Sequence, residues 1–396
     1  MKYNFDQPIE RMNTNCSKWD GADAFFGPEA KEALPMWVAD MDFAAPQKVI
    51  DALKARVEHG VFGYPTMPPA SYYAAVIGWM DKHYNWPVKR EWLVYTPGVV
   101  AALNYLVQVF TQEGEAVAIQ TPVYYPFTSS IVNNNRQVVI NPLKLSDSRY
   151  IMDYDDLDKK LADKNVKMLF LCNPHNPVGR VWTRDELTKL GEICLKHNVL
   201  VVSDEIHGDL TFKGYQTTAY AGISEELAQN AIVCTAPSKT FNLAGLQTSN
   251  MIIPNAELRQ RICDYLQKIH VVKPNVFGLL ATEVAYSCGE EWLDKVKDYL
   301  QGNLEYLTWF ITDRIPGINV IQPEGTFLVW LDCRELAMDI QALKRFMLLE
   351  ARVAMDDGYI FGQGGDGFTR INIACSRATL REGLTRIENA VNRRKK

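Results

Sequence analysis

VKMLFLCNPHNPVGRVWTRDELTKLGEICLKHNVLVVSD, residues 166–204, sets the architecture of the chain. VKMLFLC and VLVVSD are short and apolar almost throughout, the pattern of strands buried on both faces. Between them TRDELTKLGEICLKHN reads as a helix, with Thr183 as its cap and Glu186 three residues on. The same alternation extends outward. PQKVIDALKARVEHG carries Val49, Ile50, Leu53 and Val57 at helical spacing, with Gly60 as a stop signal. EAVAIQ, AIVCTA and SNMIIP are further apolar runs. Continuous apolar strands alternating with helices imply a mostly parallel sheet covered on both faces. In such folds ligands bind beyond the carboxyl ends of the strands.

Those strand ends carry chemistry. MLFLC runs into Asn173-Pro174-His175-Asn176-Pro177-Val178-Gly179, VLVVS ends in Asp204, and IVCTAP ends in Ser238-Lys239. An amide, a carboxylate and an amine therefore reach one edge of the sheet. A carboxylate beside a protonated nitrogen heterocycle, with an amine to form an imine, is the set that a pyridoxal 5'-phosphate (PLP) site requires. Lysine is costly to desolvate, so one held at a strand end tends to have a lowered pKa and to act as nucleophile or base. A phosphate cradle is expected at TPGVVAALNYLVQVF, where Thr96-Pro97-Gly98 precedes a helix. The amides of Gly98, Val99 and Val100 would face an anion with the helix dipole behind them. Each element alone is an ordinary structural feature, and their order and spacing together carry the reading.

The bulk numbers narrow the field. The chain has 396 residues, 47% hydrophobic and 22% charged, with a net charge of −5. That is ordinary globular composition, and the scattered Lys and Arg residues do not describe a nucleic-acid or membrane-surface binder. No apolar run approaches the ~18 residues of a membrane span. The N-terminal stretch is polar without an apolar signal core, so a cytoplasmic location is expected. Eight cysteines without a C-x-x-C pair read as reduced thiols, and six dispersed histidines offer no metal site. After about residue 288 the texture changes to a long helical stretch followed by GTFLVWLD and FTRINIAC, a second and smaller α+β unit. Residues 1–45 are expected to pack on that unit, with residues 46–288 forming the large domain and residues 289–396 the small one.

The segments YPTMPP, TPGVVAALN, TPVYYPF, CNPHNPVGRVW, SDEIHGDL, SKTFNLAGLQ and TRINIACSR occur in this order along the chain. In them the sequence resembles fold-type I PLP enzymes of the aspartate aminotransferase superfamily, and within it the bacterial cystathionine β-lyases and related cysteine–sulfur lyases. The resemblance implies an α/β large domain with a mostly parallel seven-stranded sheet. It implies that Lys239 is the lysine that binds the cofactor, Asp204 the partner of the pyridine nitrogen and Asn173 the amide on the ring hydroxyl. His207 stands where aminotransferases usually have a tyrosine on that hydroxyl. Tyr124 is the implied ring-stacking aromatic and a proton donor, Val99, Val100 and Ser238 the implied phosphate contacts. Tyr64 is implied to reach the phosphate of a neighbouring subunit, making the protein a homodimer.

Arg370 is the implied grip on a substrate α-carboxylate. In FTRINIAC, Ile371 and Ile373 share one strand face while Arg370 and Asn372 share the other, so its planar fork projects away from the apolar side. Arg377 reads as structural. One departure stands out: the arginine usual eight residues after the lysine is Gln247, and the serine often found three before it is Ala236. Within the superfamily this goes with the lyase branch. The implied reaction is elimination of a thiol from cystathionine, cysteine or a related β-thio amino acid. Transamination on the same site is the alternative, and a partner-binding regulatory role a more distant one.

Overall fold

The structure is a computed structural model and describes residues 3–394. Its centre is a seven-stranded sheet: β1 (Leu93–Thr96), β2 (Ala116–Ile119), β3 (Gln137–Ile140), β4 (Val166–Cys172), β5 (Leu200–Asp204), β6 (Ala231–Thr235) and β7 (Ser249–Ile252), in spatial order β1-β7-β6-β5-β4-β2-β3. β7 runs antiparallel to both of its neighbours, and every other pairing is parallel. Side chains alternate between two cores. Met168, Phe170 and Cys172 of β4 join one apolar cluster, and Leu169 and Leu171 join the other. This two-sided burial is why the strands read as unbroken apolar runs.

Helices cover both faces, among them α1 (Val99–Phe110) and α2 (Arg184–His197). The start of α2 follows from the sequence. Thr183 Oγ1 accepts the Glu186 N–H at 3.2 Å, and Glu186 Oε2 accepts the Thr183 N–H at 2.9 Å, closing a reciprocal capping box. The helix over Gln47–Glu58 forms as its spacing predicts, but Val57 is 55% exposed. It shares an open apolar surface with Val61, Phe62 and Met67, also largely exposed.

After β7 the chain forms α3 (Glu290–Arg314), then a four-stranded antiparallel sheet of β8 (Asn319–Ile321), β9 (Leu328–Asp332), β10 (Asp356–Asp357) and β11 (Phe368–Asn372), in order β8-β9-β11-β10. Leu34–Pro35 pairs in parallel with Val353–Ala354 beside this sheet. Residues 36–43 then run on without regular structure between the two sheets. The loop before β9 is fixed to the large sheet by a buried ion-pair network. Arg180, 2% exposed, donates to Glu324 Oε2 at 2.9 Å and to both Glu186 oxygens, and Arg149 donates to Glu324 Oε1 at 2.9 Å. No helix among the described residues is long and apolar enough to cross a membrane.

Candidate active site

The carboxyl ends of β4, β5 and β6 and the start of α1 enclose a cavity of about 510 Å³. Strand register decides what meets there. Cys172 of β4 stands opposite Asp204 of β5, and Asp204 opposite Cys234 of β6, so the single carboxylate sits in the middle of the sheet edge. Lys239 follows β6 on a short turn of helix, Pro237–Thr240. Seven of the sequence-derived residues line this one cavity: Val99, Val100, Tyr124, Asp204, His207, Ser238 and Lys239.

Burial dominates the electrostatics. Asp204 is 4% exposed and its carboxyl is pushed up to about 7 by desolvation, against the opposing pull of the Ile206 N–H and of Lys239. Lys239 is pulled down to about 8, chiefly by desolvation; Asp40 and Asp204 oppose the shift and Arg370 adds to it. Its amine donates to the Ala39 carbonyl at 2.7 Å. His207 is held neutral, its pKa well below the ordinary value because of burial and then of Lys239 and Arg370, and its Nδ1 has no hydrogen-bond partner. Burial likewise raises the Tyr124 hydroxyl. An uncharged imidazole, a lysine poised near neutral pH and a carboxylate lacking a full counter-charge are arranged for proton chemistry.

At the other end of the cavity Gly98 adopts φ 130° and ψ 153°, a conformation open essentially to glycine alone, and turns the chain into α1. Val99 and Val100 both line the cavity from the first turn of α1, where backbone amides have no intrahelical acceptor and the helix dipole favours an anion. The Gly98 amide is not available as the sequence reading expects, because it donates to Ser249 Oγ at 3.1 Å. Gln247 lines this end in a left-handed conformation, φ 47°. Among the described residues of the cavity wall, Lys239 and His207 carry the only basic side chains.

The site reading needs one correction. Asn173 does not line the cavity: its amide donates to the Thr218 carbonyl at 2.9 Å and towards Glu205 Oε1 at 3.4 Å. Asn176, three residues on, takes the place in the wall. Asn173 continues the β4 backbone beside β5, with its N–H on the Asp204 carbonyl. Since Cys172 before it lines the cavity, strand alternation sends the Asn173 side chain to the opposite face, where it meets Thr218 and Glu205. Only after the following turn does a side chain reach the cavity. The motif NPHN offers two amides, and the second is the signal that the sequence reading misses.

Arg370 lies behind this wall at 3% exposure, reached from the cavity through Asn176. Its Nη1 donates to Asn176 Oδ1 at 2.8 Å and its Nη2 to the Trp37 carbonyl at 3.1 Å. Nη2 also pairs with Asp356, its register partner across β10 and β11, and the guanidinium lies 4.8 Å above the Phe361 ring. Its Nε keeps an unused donor. Arg377 donates to Asn303 at 2.8 Å, away from the site. Tyr64 is not brought to this cavity and is 97% exposed. Two participants have no sequence signal, the Ala39 carbonyl and Asp356.

The residues present fit PLP. The unpartnered His207 Nδ1 and the Asn176 amide suit a ring hydroxyl, Asp204 a ring nitrogen, Lys239 an aldehyde carbon and the α1 amides a phosphate. Comparison with known proteins points the same way. The profile of the family described as aminotransferase class I and II matches residues 33–387. Cystathionine beta-lyase PatB of Bacillus subtilis is 44% identical over 98% of this chain and 100% of its own length. Protein MalY of Escherichia coli is 33% identical over 98% of this chain and 99% of its own. The crystal structure of cystalysin from Treponema denticola, which contains a pyridoxal 5'-phosphate cofactor, superposes with a TM-score of 0.95 at 40% identity, covering 99% of this chain and 100% of that one.

Proposed function

The chain belongs to the class I and II aminotransferase family, and from that premise we propose that it is a PLP-dependent carbon–sulfur β-lyase. Its substrates are L-cystathionine, L-cysteine or related β-thio amino acids, and with water the products are a thiol, pyruvate and ammonia. The observation that carries the chemistry is the convergence of Lys239, Asp204 and the α1 N-terminus on one cavity. The choice of lyase rests on end-to-end similarity to a cystathionine β-lyase.

When bound, PLP supplies a sink for the electron pair left at Cα once its proton is removed. The chain's own residues do the rest. Arg370, aimed by Asn176, Trp37 and Asp356, takes the substrate carboxylate with its free Nε donor. Lys239 Nζ, already depressed to about 8, takes the Cα proton as general base. Asp204, buried and ionised against a cation, keeps the proton on the ring nitrogen. His207 and Asn176 hold the ring hydroxyl. Tyr124, in the cavity wall, would cover the ring and exclude water, and Tyr124 or Lys239 would deliver a proton to the departing sulfur. Val99, Val100 and Ser238 hold the phosphate.

Tyr64 completes that phosphate site in a second copy of the chain. Val57, Val61, Phe62, Tyr64 and Met67 are each more than half exposed, an apolar surface that a homodimer would cover. The division into residues 1–45, 46–288 and 289–396 and a cytoplasmic location belong to the same reading. Its test is L-cystathionine given to the PLP-loaded protein without any keto acid. Stoichiometric pyruvate and homocysteine are the expected products, lost together with the cofactor's visible absorbance in Lys239→Ala. Activity only on addition of 2-oxoglutarate would make the protein an aminotransferase. A monomer that stays fully active in sedimentation would refute the shared site.

A further inference from the structure

Residues 36–43 have no strand partner, yet their carbonyls are satisfied in an unusual way. Those of Met36, Val38 and Asp40 accept from Asn372, through its main-chain N–H at 2.9 Å and its side-chain amide at 2.6 Å twice. The Trp37 carbonyl accepts from Arg370 and the Ala39 carbonyl from Lys239. The carbonyls of Met41 and Phe43 accept from the Asn242 amide at 2.9 Å each, and Asn242 Oδ1 takes the Met41 N–H at 3.0 Å. Six consecutive carbonyls, Met36 to Met41, are thus taken by four residues: the two cations of the site and an asparagine close behind each. Asn242 follows Lys239 by three positions, and Asn372 follows Arg370 by two.

The strap is anchored on its other side as well. Arg11 bridges Asp40 and Asp42 at 2.5 and 2.6 Å, and Lys18, 1% exposed, donates to Asp42 at 2.8 Å. Ala39 is itself part of the cavity wall. Asn372 is buried and Asn242 half-buried. Amide side chains that replace missing ladder partners at such sites hold a backbone in one place, because releasing them leaves polar groups without partners.

We propose that residues 36–43 are a rigid spacer between Lys239 and Arg370, and that Asn242 and Asn372 are positioning residues that fix it. The spacer sets where the amine stands relative to a carboxylate gripped by Arg370, and so whether the Cα–H of the substrate points at Lys239. The inference rests on the roles given to those two cations above. Misplacement by about 1 Å costs on the order of 100-fold in rate, so the clasp has a catalytic consequence although neither asparagine touches the reacting atoms.

The decisive variant is Asn242→Gly. Asn242 sits at φ 57°, where glycine is unstrained, so the substitution removes the clasp and leaves the turn intact. Two readouts use the cofactor-free protein: hydrogen exchange of the 36–43 amides, and the pH dependence of competitive acetylation of Lys239. The groups facing that amine are Asp40, Asp204, Arg370 and His207. Expected are faster exchange across the strap and a Lys239 titration displaced upward towards the ordinary lysine value as water enters. Turnover of the loaded enzyme should fall roughly 10- to 100-fold. Asn372→Ala should act mainly on KM, and the double variant should lose less than the product of the single losses, because both release one element. Accelerated strap exchange with an unchanged Lys239 titration and unchanged turnover in Asn242→Gly would overturn the proposal, whether or not Asn372→Ala folds. A wild-type protein inert towards every amino acid would refute the reading of the site, while the Lys239 titration would still decide the strap.

Discussion

Asp204 is a carboxyl group on which folding and function make opposite demands. Alone in the fold its pKa rises from 3.8 to about 7 because it is almost fully buried and its nearest help is one backbone N–H and the Lys239 amine. In the unfolded chain it releases its proton near 3.8; in the native chain it keeps the proton until about 7. Over that interval the native state binds more protons, so stability falls as pH rises and levels off above about 7. At ~1.4 kcal/mol per unit, the ionised group destabilises the cofactor-free protein by about 4 kcal/mol. An asparagine in its place would carry no charge and could still accept the Ile206 N–H. Cofactor-free Asp204→Asn should therefore be more stable than wild type by up to about 4 kcal/mol at pH 8, with the gap shrinking towards zero as pH falls to about 4. Relief of the adjacent Glu205, also pushed up to about 7, works in the same direction. Urea unfolding of both cofactor-free proteins across this pH range measures the gap. With PLP bound the order reverses in function: no anion holds the ring proton, and turnover should drop by about 100-fold or more. A variant no more stable than wild type at pH 8, or a gap independent of pH, would show that Asp204 is not the desolvated group described.

The two asparagines of CNPHNP should separate cleanly. Asn176→Ala removes the acceptor that aims Arg370 and should raise KM by roughly 10-fold or more, whereas Asn173→Ala should destabilise the fold by about 1–3 kcal/mol with KM unchanged; steady-state kinetics beside thermal unfolding distinguish them. Gly98→Ala forces a side chain into φ 130° and should cost about 1–3 kcal/mol of stability while weakening PLP binding, read by titrating cofactor-free protein with PLP.

Much of the molecule is legible because its chemistry sits where the sheet's own pattern ends. β4, β5, β6 and β7 are buried on both faces and announce themselves as apolar runs, and Asp204 and Lys239 follow from where those runs stop. β1 and β3 escape the sequence reading, and they are the two edges of the sheet. Every residue of Gln137–Ile140 is at least partly exposed, which weakens its pattern, whereas Leu93–Thr96 is mostly buried but has only two aliphatic residues, Leu93 and Val94, before Tyr95 and Thr96. Asn173 stands in for Asn176 in the sequence reading because strand ends are legible to within a residue or two and the path of the following turn is not. The Ala39 carbonyl and Asp356 lie beyond reach for a different reason. A main-chain acceptor has no sequence signature, and the partner of Arg370 is chosen by register between strands that meet only in the folded protein.

The strap also fixes when a nascent chain becomes competent. Asp40 and the Asn372 amide that holds its carbonyl are separated by 332 residues. At ribosomal rates of about 5–20 residues per second, roughly 15–65 s pass between their syntheses. Throughout that interval Lys239 can be made and its strand can fold, but the Ala39 carbonyl that orients its amine is held at one end only. On the roles proposed for Lys239 and the strap, a polysome-bound fragment ending before residue 372 would carry the lysine without the geometry to use it, and Phe368–Asn372, the last strand among the described residues, would complete the site.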